Sequence, residues 1–422
     1  MTWCKPTRAR VLVVLALVFA IWGWADVRLR GAIDPTNAWN HKTDLTVFTE
    51  AGAAFFDGRD PYAVTNVRGW KYLYPPLFAI LLAPLHHLPP QSQVLVWFAL
   101  SVLMVWGCYR ECVRIGRAIS PSADARGTFG AIPSWIGYCG VVAALLPALN
   151  CLQRGQVSVA NMYLLLLGFR LLLENRGVLR CFAAGVVLAL PIAIKITPLL
   201  PVGFLLLQQL VAAWNAHERA AALARWKACA AGNVVGLVLC FLIVPAAWIG
   251  WRANLHHLGT WWTSVAVHAD AVDTAYFAPD VSTVRNQSFT NAVLQLGNWT
   301  SYRLGWQTES EAIQEVFSGR LNLWTGVPIV SALVLAVRTF AGLLLLVVGY
   351  RMGRANEPVG QAAGFGLACV SILIVARVAR AHYFVLLLPA VIFVGVWLLR
   401  AQRPKLAACF VLLPGLLTLV HY

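Results

Sequence analysis

Lys195 has the surroundings that most require a chemical explanation. It sits in the run Leu-Pro-Ile-Ala-Ile-Lys-Ile-Thr-Pro-Leu-Leu, far from either end of an apolar stretch. A cation at that depth is costly and by default marks a functional site. The competing reading, a Lys that snorkels to an interface, fits a central position less well. Pro191 and Pro198 should break the helix on either side and open a polar pocket at membrane depth. Arg377, Arg380, His382 and Tyr383 form a second cluster in Arg-Val-Ala-Arg-Ala-His-Tyr-Phe. The planar guanidinium fork suits phosphate, and an interfacial basic collar would use the same residues. Arg338, in the middle of an apolar run, is a weaker third candidate.

The acid that could complement these cations is Asp44. Residues 43–58 read Thr-Asp-Leu-Thr-Val-Phe-Thr-Glu-Ala-Gly-Ala-Ala-Phe-Phe-Asp-Gly. Leu45, Phe48, Gly52, Phe55 and Phe56 fall at helical spacing, and Gly58 is a plausible stop. The pattern predicts an amphipathic helix lying along the outer membrane surface. Asp44 opens it and borders its apolar face. It could be a simple N-cap. It could also be a base, because desolvation disfavours the charged carboxylate and makes it a better proton acceptor. Both readings stay open on pattern alone. Asp57-Gly58 and Asp60-Pro61 read as turns. Tyr74, Pro75 and Pro76 start the next helix, where Tyr is an ordinary interfacial anchor.

The chain has 422 residues, 59% hydrophobic and only 12% charged. A soluble domain carries about twice that share of charge. Several runs reach the roughly 18 apolar residues of a membrane span, so an all-α polytopic membrane protein is expected, read as a single domain over 1–422. The net charge of +16 does not point to nucleic acid, because most Lys and Arg sit in short loops where they set membrane orientation. The ten cysteines lie mostly in or beside apolar runs and behave as small buried hydrophobes. No Walker loop, Gly-x-Ser-x-Gly elbow, zinc motif or dinucleotide fingerprint appears in a supporting context. No cofactor and no metal are therefore expected.

A first span is read over about 11–30, with Lys5, Arg8 and Arg10 placing the N-terminus in the cytoplasm. Further apolar segments cover about 74–88, 92–112, 131–149, 157–173, 181–213, 229–249, 327–350, 361–378, 383–399 and 406–420. Loops 31–73 and 250–327 are expected on the outer side. If 74–88 and 92–112 both cross, Arg110–Arg117 falls outside, against the charge rule. Either the Pro-bracketed 74–88 is re-entrant or strongly tilted, or the charge rule fails here. The stretch 181–213 is one broken span or two. The total is 10 to 12 helices. Asn286-Gln287-Ser288 and Asn298-Trp299-Thr300 match glycosylation acceptors. His256, His257, Trp261 and Trp262 could frame a sugar or form an aromatic belt.

Taken in order, these pieces resemble glycosyltransferase family 87, membrane enzymes of the GT-C class. The resemblance rests on Asp44 with Asp-Leu-x-Val-Phe, Gly-Arg-Asp-Pro-Tyr at 58–62, Tyr-Pro-Pro-Leu at 74–77 and Arg-Gly-Gln at 154–156. It continues through Ile-Lys-Ile-Thr-Pro at 194–198, Asn-Gln-Ser at 286–288 and Ala-His-Tyr at 381–383. It implies a GT-C-type helical bundle in the cell membrane with its active site on the non-cytoplasmic side. The implied donor is a polyprenyl-phosphate-linked sugar, often mannose, and the acceptor a glycolipid or glycan. Asp44 maps to the family's acidic residue in the first outer loop, and Lys195 to the Lys of its Lys-x-x-Pro helix. Arg377, Arg380, His382, Tyr74, Gln156, Asn286 and Gln287 complete the expected substrate-binding set. A lipid phosphate is already a good leaving group, so the enzyme must mainly position reactants, supply a base and stabilise the departing charge. The expectation is single displacement with inversion and no metal. A transporter or lipid flippase is the rival, since it would explain Lys195 and the broken helices. It explains the long outer loop and Asp44 poorly.

Overall fold

The computed structural model describes residues 43–65, 71–119, 132–174, 177–266, 303–305, 328–376 and 379–421, with a few positions in 17–25. The span read at 11–30 lies largely outside these residues. Asn286, Gln287, Asn298, Arg377 and most of loop 250–327 lie wholly outside them. Among the described residues the chain is helical, with no strand beyond one antiparallel bridge, Thr65 to Lys71.

The elements are α1 (Leu45–Phe56), α2 (Pro76–Leu82), α3 (Pro90–Ile119), α4 (Ser134–Arg154), α5 (Ser158–Glu174), α6 (Val178–Ile194) and α7 (Leu199–Trp214). There follow α8 (Arg219–Ile249), α9 (Trp251–Trp261), α10 (Pro328–Ala355), α11 (Pro358–Val375), α12 (Leu387–Arg400) and α13 (Pro404–His421). A 3-10 turn over Ala83–His87 follows α2, and another over Ala381–Leu386 leads into α12. Six helical segments are long and apolar enough to cross a membrane: α3, α4, α8, α10, α11 and the continuous 381–400 stretch. α6, α7 and most of α13 are shorter apolar helices. The protein is polytopic.

Two questions left open by the pattern close here. Residues 74–88 do not cross; they form the seven-residue α2 and a 3-10 turn. Arg110, Arg114 and Arg117 therefore sit at the same end of the bundle as the other basic helix ends, and the conflict with the charge rule disappears. The stretch 181–213 is two helices, α6 and α7, broken at Lys195–Pro198. The helix expected over 43–58 forms as α1, but protein covers it on nearly every side. Leu45 through Thr49, Ala51, Gly52, Ala54 and Phe55 are all buried. Apolar spacing reports a buried face; it does not distinguish lipid from protein as the cover.

The bundle's two ends differ in chemistry. At one end Glu111 of α3, Arg170 and Glu174 of α5 and Arg180 of α6 form a continuous ion-pair network, with Arg114 2.9 Å from Glu111 and Arg170 2.7 Å from Glu174. Glu111 and Arg170 are buried. Removing one partner of such a pair strands a buried charge, which costs about 3–5 kcal/mol. At the other end the chain turns between α4 and α5, and breaks between α6 and α7 and again between α11 and α12.

α6 and α8 pack along much of their length through small residues. A Cβ on Gly185 would lie 2.0 Å from the Cys229 carbonyl oxygen, and one on Gly232 would lie 2.1 Å from that of Phe182. Without a hydrophobic drive between helices in lipid, such close backbone contact supplies the packing energy. Gly232→Leu should therefore separate α6 from α8 and abolish a monodisperse, cooperatively unfolding species in detergent. Gly259→Leu, at a position with nothing within 4 Å, should leave both properties intact. Equal behaviour of the two variants in size exclusion and thermal unfolding would contradict this packing.

Candidate active site

The site begins at the end of α4. Gly155 takes a left-handed conformation, φ 67°, and its N–H donates to the carbonyls of Cys151 and Leu152. The Gln156 N–H donates to the Cys151 carbonyl at 3.0 Å, which closes the helix as a Schellman motif. The turn frees the Arg154 carbonyl, and it accepts the Asp44 N–H at 2.6 Å and the Thr43 hydroxyl at 3.3 Å. A Cβ on Gly155 would lie 2.9 Å from both Leu45 Cβ and Thr43 Oγ1. Glycine is thus required twice, for its backbone angle and for the approach of α1. This accounts for Arg-Gly-Gln as a unit.

Asp44 does not cap α1. Its side chain bonds no helix N–H; the Leu45 N–H instead donates to Thr43 Oγ1 at 3.2 Å. The Asp44 carboxylate points to Gln156, whose Nε2 donates to Oδ2 at 2.5 Å, and lies 4.0 Å from the Arg154 guanidinium. Asp44 is 4% exposed, so a buried carboxylate is held against the Gln156 amide and near the Arg154 cation.

Gln156 is oriented in turn by Tyr74, whose hydroxyl donates to Oε1 at 3.4 Å. Tyr74 sits in the extended segment before α2, and that segment is pinned by aromatic donors. The Tyr62 hydroxyl donates to the Tyr74 carbonyl at 3.3 Å and the Trp261 indole to that of Leu73 at 3.4 Å. The buried Tyr72 hydroxyl donates to the Pro75 carbonyl at 2.6 Å and accepts the Ala79 N–H at 3.2 Å. Phe48 packs against Tyr72, Tyr74 and Phe78 at ring-centroid distances of 6.3, 5.2 and 5.2 Å. Further out, Phe55 packs edge-on to His257 at 4.9 Å. Burial and the neighbouring His256 lower the His257 pKa below its ordinary value. Burial also holds the Tyr62 hydroxyl well above its usual range. The aromatic residues of segments 48–78 and 257–261 are thus the scaffold of the site.

The cations come from the other side. Lys195 lies where α6 ends, in extended backbone, φ −155° and ψ 132°. Its Nζ is 4.0 Å from the Tyr383 ring centroid and 5.2 Å from that of Tyr74. The 3-10 turn carrying Tyr383 packs against α4 and α5. His382, 2% exposed, stacks on Tyr383 at 5.0 Å, and its Nδ1 has no hydrogen-bond partner. Lys195, Arg380 and Arg154 all act electrostatically on this imidazole.

Of the residues singled out in sequence, Asp44, Tyr74, Gln156, Lys195, Arg380 and His382 therefore converge. Arg377, Asn286 and Gln287 lie outside the described residues. Arg338 sits in α10, one turn before Gly342, which lines a groove together with Ile196 and Thr197 of the break. Arg154 and Thr43 were not read as site residues, although Arg154 lies inside a motif already singled out and Thr43 adjoins Asp44; Tyr383 was read with Arg377, Arg380 and His382 as one cluster. Among the described residues no group of acids, Cys and His could hold a metal ion.

A buried carboxylate beside Arg154, with Lys195 across Gln156 and Tyr74, suits transfer from an anionic donor. The model of glycosyltransferase family 87 matches residues 72–376. The chain belongs to that family. It is a membrane glycosyltransferase, and transfer chemistry displaces the transporter reading. The matched region holds Tyr74, Gln156 and Lys195 but not Asp44, Arg380 or His382, so the latter three enter the site on geometry. No curated protein and no solved structure matches the chain.

The role of Gly155 can be checked against Gly177. Both have positive φ, but a Cβ on Gly177 meets nothing within 4 Å. Backbone strain costs about 1–3 kcal/mol at either position, and only Gly155→Ala also pushes Thr43 and Asp44 away. Gly155→Ala should lower sugar transfer at least about tenfold below Gly177→Ala, since a 1 Å misplacement of a reacting group costs up to about a hundredfold. Matching transfer rates in the two variants would show that the turn does not position the acid.

Proposed function

We propose that this family 87 enzyme moves a hexosyl unit, the mannosyl unit of a polyprenyl-phosphate donor, to a hydroxyl of a glycolipid or glycan acceptor on the non-cytoplasmic face of the cell membrane. The reading is carried by one observation: a buried carboxylate, fixed by Gln156 and 4.0 Å from Arg154, is joined through Gln156 to Tyr74, whose ring lies 5.2 Å from the Lys195 ammonium. The acceptor hydroxyl attacks the anomeric carbon, the bond to the phosphate oxygen breaks, and the polyprenyl phosphate leaves with the electron pair. Asp44 takes the hydroxyl proton. Lys195, Arg380 and His382 face the departing phosphate, where charge grows as the bond breaks. One displacement at the anomeric carbon gives inversion.

Two features support the lipid donor and the side. An apolar groove of about 1040 Å³, counting the space open to solvent, opens one residue past Lys195, between Ile196, Leu200, Phe204 and Leu207 of α7 with the break before it and Leu345 and Leu346 of α10. A phosphate against Lys195 would lead its prenyl chain into that groove. The basic helix ends, Arg110–Arg117, Arg180, Arg219–Lys227, Arg351–Arg354 and Arg400–Lys405, lie at the opposite end of the bundle, and such ends face the cytoplasm.

Asp44→Asn keeps the side chain's size and, since capping is not its role, the fold. Transfer from a synthetic polyprenyl-phosphate-mannose should fall by about a hundredfold or more, the scale of losing a general base. Lys195→Met should weaken donor binding far more than acceptor binding. Near-normal turnover of folded Asp44→Asn would remove the base from that residue, and unchanged donor affinity in Lys195→Met would remove the phosphate from that cation.

A further inference from the structure

At the end of the bundle opposite Asp44, a polar recess of about 490 Å³, counting the space open to solvent, lies between α6, α7, α8 and the end of α10. Its floor is Cys181, Cys229, Ala213 and Ala222, all buried. On its wall stands Arg225, which has no acidic partner among the described residues. The nearest carboxylate on α5, Glu174, is already shared between Arg170 and Arg180. Glu218 lies two turns back along α8 at its exposed start. Arg180, Lys227 and Arg354 lie on the same helix ends, and the exposed Glu357, which follows Asn356 at the start of α11, is the acid at the rim.

The opposite wall is built from carboxamides. Gln209 Nε2 donates to Gln361 Oε1 at 3.2 Å, and Gln361 Nε2 donates to Asn356 Oδ1 at 3.1 Å. The relay fixes the Asn356 amide with its oxygen engaged and its NH2 left to donate. Asn356 holds a left-handed backbone, φ 50°, at the end of α10, a conformation that Asn tolerates and most residues do not. Trp226 lines the recess with its indole N–H already committed to the Leu206 carbonyl at 2.9 Å. The recess therefore offers a guanidinium and an amide NH2 over an apolar floor, with no acid in its lining. These are donors suited to an anion, and a guanidinium fork favours a phosphate.

We infer that this recess is a second, non-catalytic site that binds a phosphate group through Arg225 and Asn356. Its position at the membrane boundary points to the headgroup of an anionic phospholipid in that leaflet; a water-soluble phosphate would satisfy the same donors. The inference does not depend on the sugar-transfer reading.

Native mass spectrometry of the full-length protein, delipidated and titrated with phosphatidylglycerol, reads the site directly. Wild type should carry one retained lipid that Arg225→Gln weakens by about tenfold or more, the scale of one charge-assisted hydrogen bond. Asn356→Gly keeps the positive φ and removes the amide, so it should weaken retention without unfolding the end of α10. Arg219→Gln is the control, because Arg219 lies at the same end but stacks on Trp214 at 3.4 Å. It should retain lipid as wild type does. Inorganic phosphate that displaces the lipid from wild type but changes nothing in Arg225→Gln would make free phosphate the ligand. Lipid retained against millimolar phosphate would make it the headgroup. Equal retention by Arg225→Gln and wild type, or equal loss in the Arg225 and Arg219 variants, would overturn the site and leave a general basic surface.

Discussion

The docking of Thr43 and Asp44 on the carbonyl of Arg154 is the contact from which the rest of the site follows. It joins residues more than a hundred positions apart through a left-handed glycine and a backbone carbonyl left free by the helix end. Without it α1 has no fixed register against α4, and the carboxylate has no fixed neighbour. With it, Gln156 follows Gly155 at the distance where its amide meets Asp44, and Tyr74 meets the other side of that amide. Glycine at a helix end usually satisfies carbonyls within one helix. Here the same turn presents a carbonyl to a second segment.

A polar site at membrane depth needs irregular backbone that is buried in protein or lines a cavity. This protein supplies it at chain breaks grouped at one end: the turn after α4, the Lys195–Pro198 break and the 379–386 turn. Each break contributes groups to the site. The first brings Arg154 and Gln156, the second Lys195, the third Arg380, His382 and Tyr383. Aromatic rings fill the space between them, so a cation such as Lys195 lies over Tyr383 and Tyr74 rather than in lipid. Cation–π contact of this kind is worth about 2 kcal/mol or more when desolvated. The other end of the bundle uses charge differently: Glu111, Arg170, Glu174 and Arg180 neutralise one another and tie α3, α5 and α6 together.

Much of this was legible in the sequence because membrane depth makes polar residues conspicuous. Lys195 between two prolines, Asp44 at the head of a helical apolar pattern and the basic loops were all readable that way. Other features were not. Apolar spacing predicted α1 but not its burial, because protein and lipid reward the same face. Whether 74–88 crosses depended on tertiary packing around Tyr72 and Trp261, which periodicity does not carry. Cap and base were equally compatible with Asp44 until Thr43 was seen to take the role of bonding Leu45. Arg154 was hidden inside a motif for a similar reason: a short motif marks a place, and only the fold says which of its side chains turns inward.

The central claim is that Asp44 and the Lys195–His382 cluster flank one reacting centre. Cryo-electron microscopy of Asp44→Asn with a polyprenyl-phosphate-hexose bound tests it most directly. The account predicts the phosphate against Lys195 and His382, the prenyl chain in the groove between α7 and α10, and the anomeric carbon turned toward residue 44 with room for an acceptor hydroxyl between them. A donor phosphate bound elsewhere, or a sugar whose anomeric carbon faces away from residue 44, would contradict it.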